Sequence, residues 1–129
     1  GGGGAARGGG GNVHASARIV GNVLVHPSAT VGANACVGPD VVLGPNVTIG
    51  DGARIASSVL LDDTRVGAHA VVKNSLVGWR NRIGAWARLE AQCVTGEDVA
   101  VADEVFLRGV RVLPHKSLKA SLYEPQIVM

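Results

Sequence analysis

The sequence predicts an all-β fold in which short parallel strands wind into a triangular coil, a parallel β-helix of roughly six turns. Three observations predict it. Aliphatic side chains recur every six residues, small apolar residues follow most of them at a fixed offset, and aromatic residues make up only 3% of the 129-residue chain.

The beat starts at Val13 and runs through Ile19, Val25, Val31, Val37, Leu43, Ile49, Ile55 and Leu61. It shifts by one residue to Val66 and Val72, shifts again to Val77, and continues through Ile83, Leu89, Thr95, Val101, Leu107 and Leu113. Thr95 is the one member that is not Val, Ile or Leu. Four residues after most anchors stands a small or β-branched apolar residue, as at Ala29, Ala35, Val47, Ala53, Ala70 and Ala87. Glycine often follows the anchor directly, as at Gly32, Gly50, Gly67 and Gly84, and is expected to supply backbone freedom at the corners. A helix needs spacings of three and four, and a two-sided strand needs sustained alternation; neither fits. Three six-residue segments per coil do fit. Each coil then satisfies the backbone N–H and C=O groups of the next, and the aliphatic anchors fill a prism too narrow for rings. At about 4.8 Å per coil the column is roughly 25 to 30 Å long.

Three regions are expected: a flexible glycine-rich leader over 1–11 (GGGGAARGGGG), the β-helix over 12–118, and a tail over 119–129 that packs back on it. The shifts near Asp62 to Arg65 and Lys73 to Val77 are expected to mark a tightened corner or bulge. The longest apolar runs are a few residues, far short of a membrane span, and the leader lacks the apolar stretch of a signal peptide. A cytoplasmic location is therefore expected. Twelve Lys and Arg against ten Asp and Glu give a net charge of +2, which does not point to nucleic acid. Cys36 and Cys93 are read as reduced thiols, and with no Cys/His cluster no metal site is expected.

Certain segments are more specific than the beat. GNVLVHPSA (21–29), VGWRNRIGAWARLE (77–90), GEDVAVADEVFL (96–107), VLPHKS (112–117) and PQIVM (125–129) resemble the C-terminal domain of mannose-1-phosphate guanylyltransferases, also called GDP-mannose pyrophosphorylases. The ending is more similar to the catalytic subunit than to its regulatory paralogue. The resemblance implies a hexapeptide-repeat β-helix of left-handed coil, against the usual right-handed crossover rule. It also implies an enzyme family that transfers GMP from GTP to mannose 1-phosphate, releasing pyrophosphate, with Mg²⁺ in the complete enzyme. That chemistry belongs to a nucleotide-binding domain with a GxGTRLRPLT-like loop, a motif this chain lacks. No catalytic, cofactor or metal residue is carried across, and the chain alone is expected to be inactive.

Trp79, Arg80, Arg82, Trp86 and Arg88 form the densest group of large residues and are expected to make an interface with the catalytic domain or another subunit, in a homo- or hetero-oligomer. The alternative reading is a free-standing hexapeptide-repeat acyltransferase that uses acetyl-CoA, with His69 as general base. No pair among His14, His26, His69 and His115 has the spacing of the zinc-binding members of that fold. Asp62, Asp63, Glu97, Asp98, Asp103 and Glu104 are read as solvated corner carboxylates.

Overall fold

The computed structural model describes residues 12–129, so the leader expected over 1–11 lies outside the described residues. Every strand pairing in it is parallel, and the described residues contain no helix. Three sheets form the sides of the prism. The first face runs Asn12–Val13, Thr30–Val31, Thr48–Ile49, Arg65–Val66, Arg82–Ile83, Ala100–Val101 and Ser117–Leu118. The second runs Arg18–Ile19, Cys36–Val37, Arg54–Ala56, Val71–Lys73, Arg88–Glu90 and Phe106–Arg108. The third runs Val23–Val25, Val41–Leu43, Val59–Leu60, Leu76–Val77, Val94–Thr95, Val110–Val112 and Gln126–Val128. This is the left-handed parallel β-helix of hexapeptide repeats.

The anchors fill the interior as ladders: Val31, Ile49, Val66 and Ile83 on one side, Val37, Ile55, Val72 and Leu89 on the next, all buried. Burial of such side chains supplies about 1.5–3 kcal/mol each. Two anchors read from the sequence are misplaced. Leu60, not Leu61, points inward, and Val112, not Leu113, does so; Leu113 is 45% exposed. The steps Ile55 to Leu60, Val72 to Val77 and Leu107 to Val112 are five residues long, and all three turn the corner from the second face to the third. In two of them a buried serine occupies the shortened corner. Ser58 and Ser75 donate their hydroxyls to the carbonyls of Ala56 and Lys73, at 2.7 and 2.8 Å, which closes the tighter turn without an orphaned acceptor.

Beyond Leu118 the beat stops but the winding does not. Leu122 bridges Leu107, and Gln126–Val128 pairs with Val110–Val112, so the last residues lie as a seventh, irregular turn on the end of the stack.

The glycines act differently from the expectation. Gly32, Gly50, Gly67 and Gly84 do not take a left-handed φ. At the two corners that flank the first face the left-handed residue stands three after the anchor and is usually not glycine: Asn34, Asn46, Asp63, His69, Arg80, Trp86, Asp98, Glu104 and His115, with φ between 57 and 64° except for Arg80 at 52°; at the third corner it also falls two after the anchor, as at Ser57, Asn74 and Gly109. Each such residue costs about 1–2 kcal/mol in backbone strain. An inter-coil hydrogen bond offsets it: His69 N–H donates to Asp51 O and Trp86 N–H to Ala68 O, at 2.8 and 3.0 Å. The glycine after the anchor is needed for close approach instead. A Cβ on Gly67 would lie 2.5 Å from the Ala85 nitrogen of the next coil.

Candidate functional site

Corner geometry decides where the large side chains go. Residues three after each anchor stack into columns along the prism edges, one per coil. Between the third and first faces the column is Asn46, Asp63, Arg80, Asp98 and His115; between the first and second faces it is Asn34, Gly52, His69, Trp86 and Glu104. Trp79 stands one residue before Arg80 on the former edge.

The expected interface group is therefore spread around one coil. Trp79 and Arg80 mark one edge of the first face, Arg82 lies on that face, and Trp86 marks its other edge. Arg88 lies around the corner on the second face. Both tryptophans are well exposed, 49% for Trp79 and 60% for Trp86. Between their edges, over the first face, runs a groove of about 610 Å³ floored by Gly67 and Gly84 and rimmed by Arg65, Arg82, Asp103 and Lys119.

Beneath the Trp79 edge lies a buried polar cluster that the sequence reading did not find. Asn81 donates its amide to the carbonyls of Trp79 and Gly96, at 2.9 and 2.8 Å, and accepts from the Thr95 hydroxyl. Thr64 donates to the carbonyl of Gly78 at 2.7 Å. Thr95, the exception in the aliphatic beat, was the available signal; Asn81 and Thr64, both fully buried, gave none. Every polar atom of the cluster has a partner, so it holds the corner in one geometry.

On the outside of that edge Arg80 pairs with Glu97 at 2.8 Å, and His115 Nδ1 lies 2.9 Å from Asp98. The hydrogen bond from His115 holds the Asp98 carboxyl below the usual carboxylate value, assisted by the charges of His115, Arg80 and Arg82 and opposed by slight burial. Asp103 accepts the N–H of Ala85 at 2.9 Å. Glu97 and Asp98 thus flank His115 from either ring nitrogen, and Asp103 serves a backbone N–H; these carboxylates engage basic or backbone partners.

At the other edge the His69 ring stacks on Trp86, with centroids 4.4 Å apart and planes 19° from parallel. Neither ring nitrogen of His69 has a hydrogen-bond partner among the described residues, so nothing orients it as a base. His14 and His26 are satisfied locally by Ser16 and Ser28. Among the described residues no three His, Cys, Asp or Glu are arranged so that they could hold a metal ion. Cys36 and Cys93 are unpaired. Arg88 reaches Glu90 at 2.7 Å and lies over the Phe106 ring at 5.4 Å.

A family model described as "GMPPB C-terminal domain" matches residues 19–128. The chain belongs to this family. Within it, the chain is 46% identical over 113 residues to a probable mannose-1-phosphate guanylyltransferase 3 of Oryza sativa subsp. japonica, covering 88% of this chain and 31% of the relative. It is 52% identical over 78 residues to a mannose-1-phosphate guanyltransferase of Pichia angusta, covering 60% of this chain and 21% of the relative. The chain spans less than a third of the length of either. Among solved structures, a mutant GDP-perosamine N-acetyltransferase from Caulobacter crescentus, in complex with CoA and GDP-perosamine, superposes with a TM-score of 0.61 at 21% identity, covering 89% of this chain and 50% of that one. That likeness is one of fold. The described residues include no helix long and apolar enough to cross a membrane.

Proposed function

We propose that this chain is the assembly and regulatory β-helix of a mannose-1-phosphate guanylyltransferase, working in the cytoplasm beside a catalytic nucleotidyltransferase domain or subunit. The complete enzyme converts GTP and mannose 1-phosphate to GDP-mannose and pyrophosphate. The observation that supports this reading is the match over nearly the whole chain to under a third of its relatives, which leaves the larger part of the enzyme, and its Mg²⁺, elsewhere. No cluster among the described residues suits that ion. The first face, bracketed by Trp79 and Arg80 on one edge and Trp86 on the other, is the docking surface in this reading, with Arg82 at its centre and Arg88 at its margin. Exposed tryptophan and arginine beside a flat glycine floor have the composition of an interface core.

The test is direct. Purified 1–129 supplied with GTP, mannose 1-phosphate and Mg²⁺ should release no pyrophosphate, whereas it should co-purify with the catalytic half of the rice relative. Trp79→Ala and Trp86→Ala should each weaken that capture by about tenfold or more. Pyrophosphate release by the chain alone, or capture indifferent to both substitutions, would overturn the reading. The acetyl-CoA-dependent alternative predicts saturable acetyl-CoA binding and an activity lost in His69→Ala.

A further inference from the structure

The second face is the basic side of the molecule. Among the described strands it holds five cations, Arg18, Arg54, Lys73, Arg88 and Arg108, and a single carboxylate, Glu90. The chain as a whole is nearly balanced at +2, so this is segregation and not excess. Its cause is local. Acidic side chains settle at corners, where Asp51 and Asp103 each accept a backbone N–H from the preceding coil, and long basic side chains are left to the strand positions.

Within this face a cavity of about 370 Å³ spans three coils. Arg54, Val71 and Arg88 occupy successive rungs of one ladder, and the short valine between two long arginines opens the space. Lys73 borders it, and on the other side stands the His69–Trp86 stack. Gly52 lets the imidazole lie flat, since a Cβ there would sit 2.4 Å from His69 Nδ1. The side chains of Arg54 and Lys73 have no hydrogen bond or ion pair among the described residues, and Arg88 spends part of its fork on Glu90. Two further carboxylates stand near: Glu104, one coil beyond Trp86 in the same corner column, and Asp51, beside Gly52, whose side chain accepts the Ala33 N–H.

We propose that this cavity binds a diphosphate group, as the free ion or as part of a nucleoside diphosphate. Arg54 and Arg88 leave the backbone two rungs apart, about 10 Å, with the Lys73 strand between them. A lone phosphate would have to draw all three cations together against their mutual repulsion, whereas a diphosphate spreads its charge along the row. Guanidinium forks match phosphoryl oxygens. The ring of Trp86, stacked on His69 and 60% exposed as a residue, offers a base a stacking surface. The site does not rest on the guanylyltransferase reading and stands or falls separately from it.

Trp79→Phe leaves Trp86 as the sole tryptophan and hence the reporter. Titration of that full-length variant with inorganic pyrophosphate or GDP at constant ionic strength should change its fluorescence saturably. Arg54→Gln and Lys73→Gln, each with unaltered far-UV circular dichroism, should weaken binding at least tenfold. Tighter binding of GDP assigns the ring contact to Trp86; equal affinity for the two assigns the site to the diphosphate alone. An absent response confirmed by calorimetry, an equal response to sulfate, or unchanged affinity in both variants would overturn the proposal.

Discussion

Asn81 shows what one polar side chain does inside an aliphatic column. Its amide satisfies two carbonyls on neighbouring coils, and its oxygen takes the Thr95 proton. Asn81→Leu should fill similar volume yet lower stability by about 1–3 kcal/mol in denaturant unfolding, because the Gly96 carbonyl and the Thr95 hydroxyl proton lose their buried partner, while the Trp79 carbonyl keeps the Asp98 N–H. A double substitution with Thr95→Val should recover part of that loss. Asp98 makes the complementary point at the surface. Its folded value lies below its unfolded one, so any stabilisation it brings is present above the unfolded carboxylate range and fades as the pH falls through the lower folded value. Carboxyl-detected NMR should show its midpoint return toward the ordinary value in His115→Gln; an unmoved midpoint would remove His115 as the cause. In the chain only Thr95, the break in the aliphatic beat, hinted at this cluster; a buried Asn and an exposed one, or a paired corner His and a free one, look alike in sequence.

The coil is the element that was most legible. Sixteen of the eighteen expected anchors point inward, because a periodic pattern on a narrow prism leaves one face no alternative. Leu61 and Leu113 failed for a single reason: each follows a five-residue corner, and an aliphatic residue directly after the true anchor, Leu60 or Val112, keeps the six-residue count apparently intact. The role of the glycines was also misread. Their spacing is plain, but whether a glycine answers to φ or to a neighbouring backbone depends on the next coil, some seventeen residues away. Gly67→Ala should therefore cost about 1–3 kcal/mol through overpacking against the backbone at Gly84 and Ala85. Gly44→Ala, whose Cβ would meet nothing closer than the Asp62 carboxylate at 3.0 Å, should cost less in the same thermal unfolding assay. The interface group was legible as composition alone; that Arg88 turns the corner away from Trp79, and that His69 and Trp86 share a column, required the register.

At the scale of the whole molecule, the stack has two unlike ends. The strands Asn12–Val13, Arg18–Ile19 and Val23–Val25 pair on one side only, and among the described residues nothing meets their other edge. The far end carries the irregular turn that closes on Gln126–Val128. An open parallel edge is a template for another chain. Sedimentation velocity should accordingly show a mass that rises with concentration, and Leu24→Lys, which puts a charge on an exposed side chain of an open edge strand, should reduce that rise. A monomer at all concentrations would place association elsewhere.

The three five-residue corners all fall on the same edge, yet the columns on either side of them stay aligned. That edge works as an expansion joint. Chain can be gained or lost there one residue at a time while the tryptophan-bracketed side and the basic side keep their spacing, so length variation among homologues should accumulate along this seam and spare the two working surfaces.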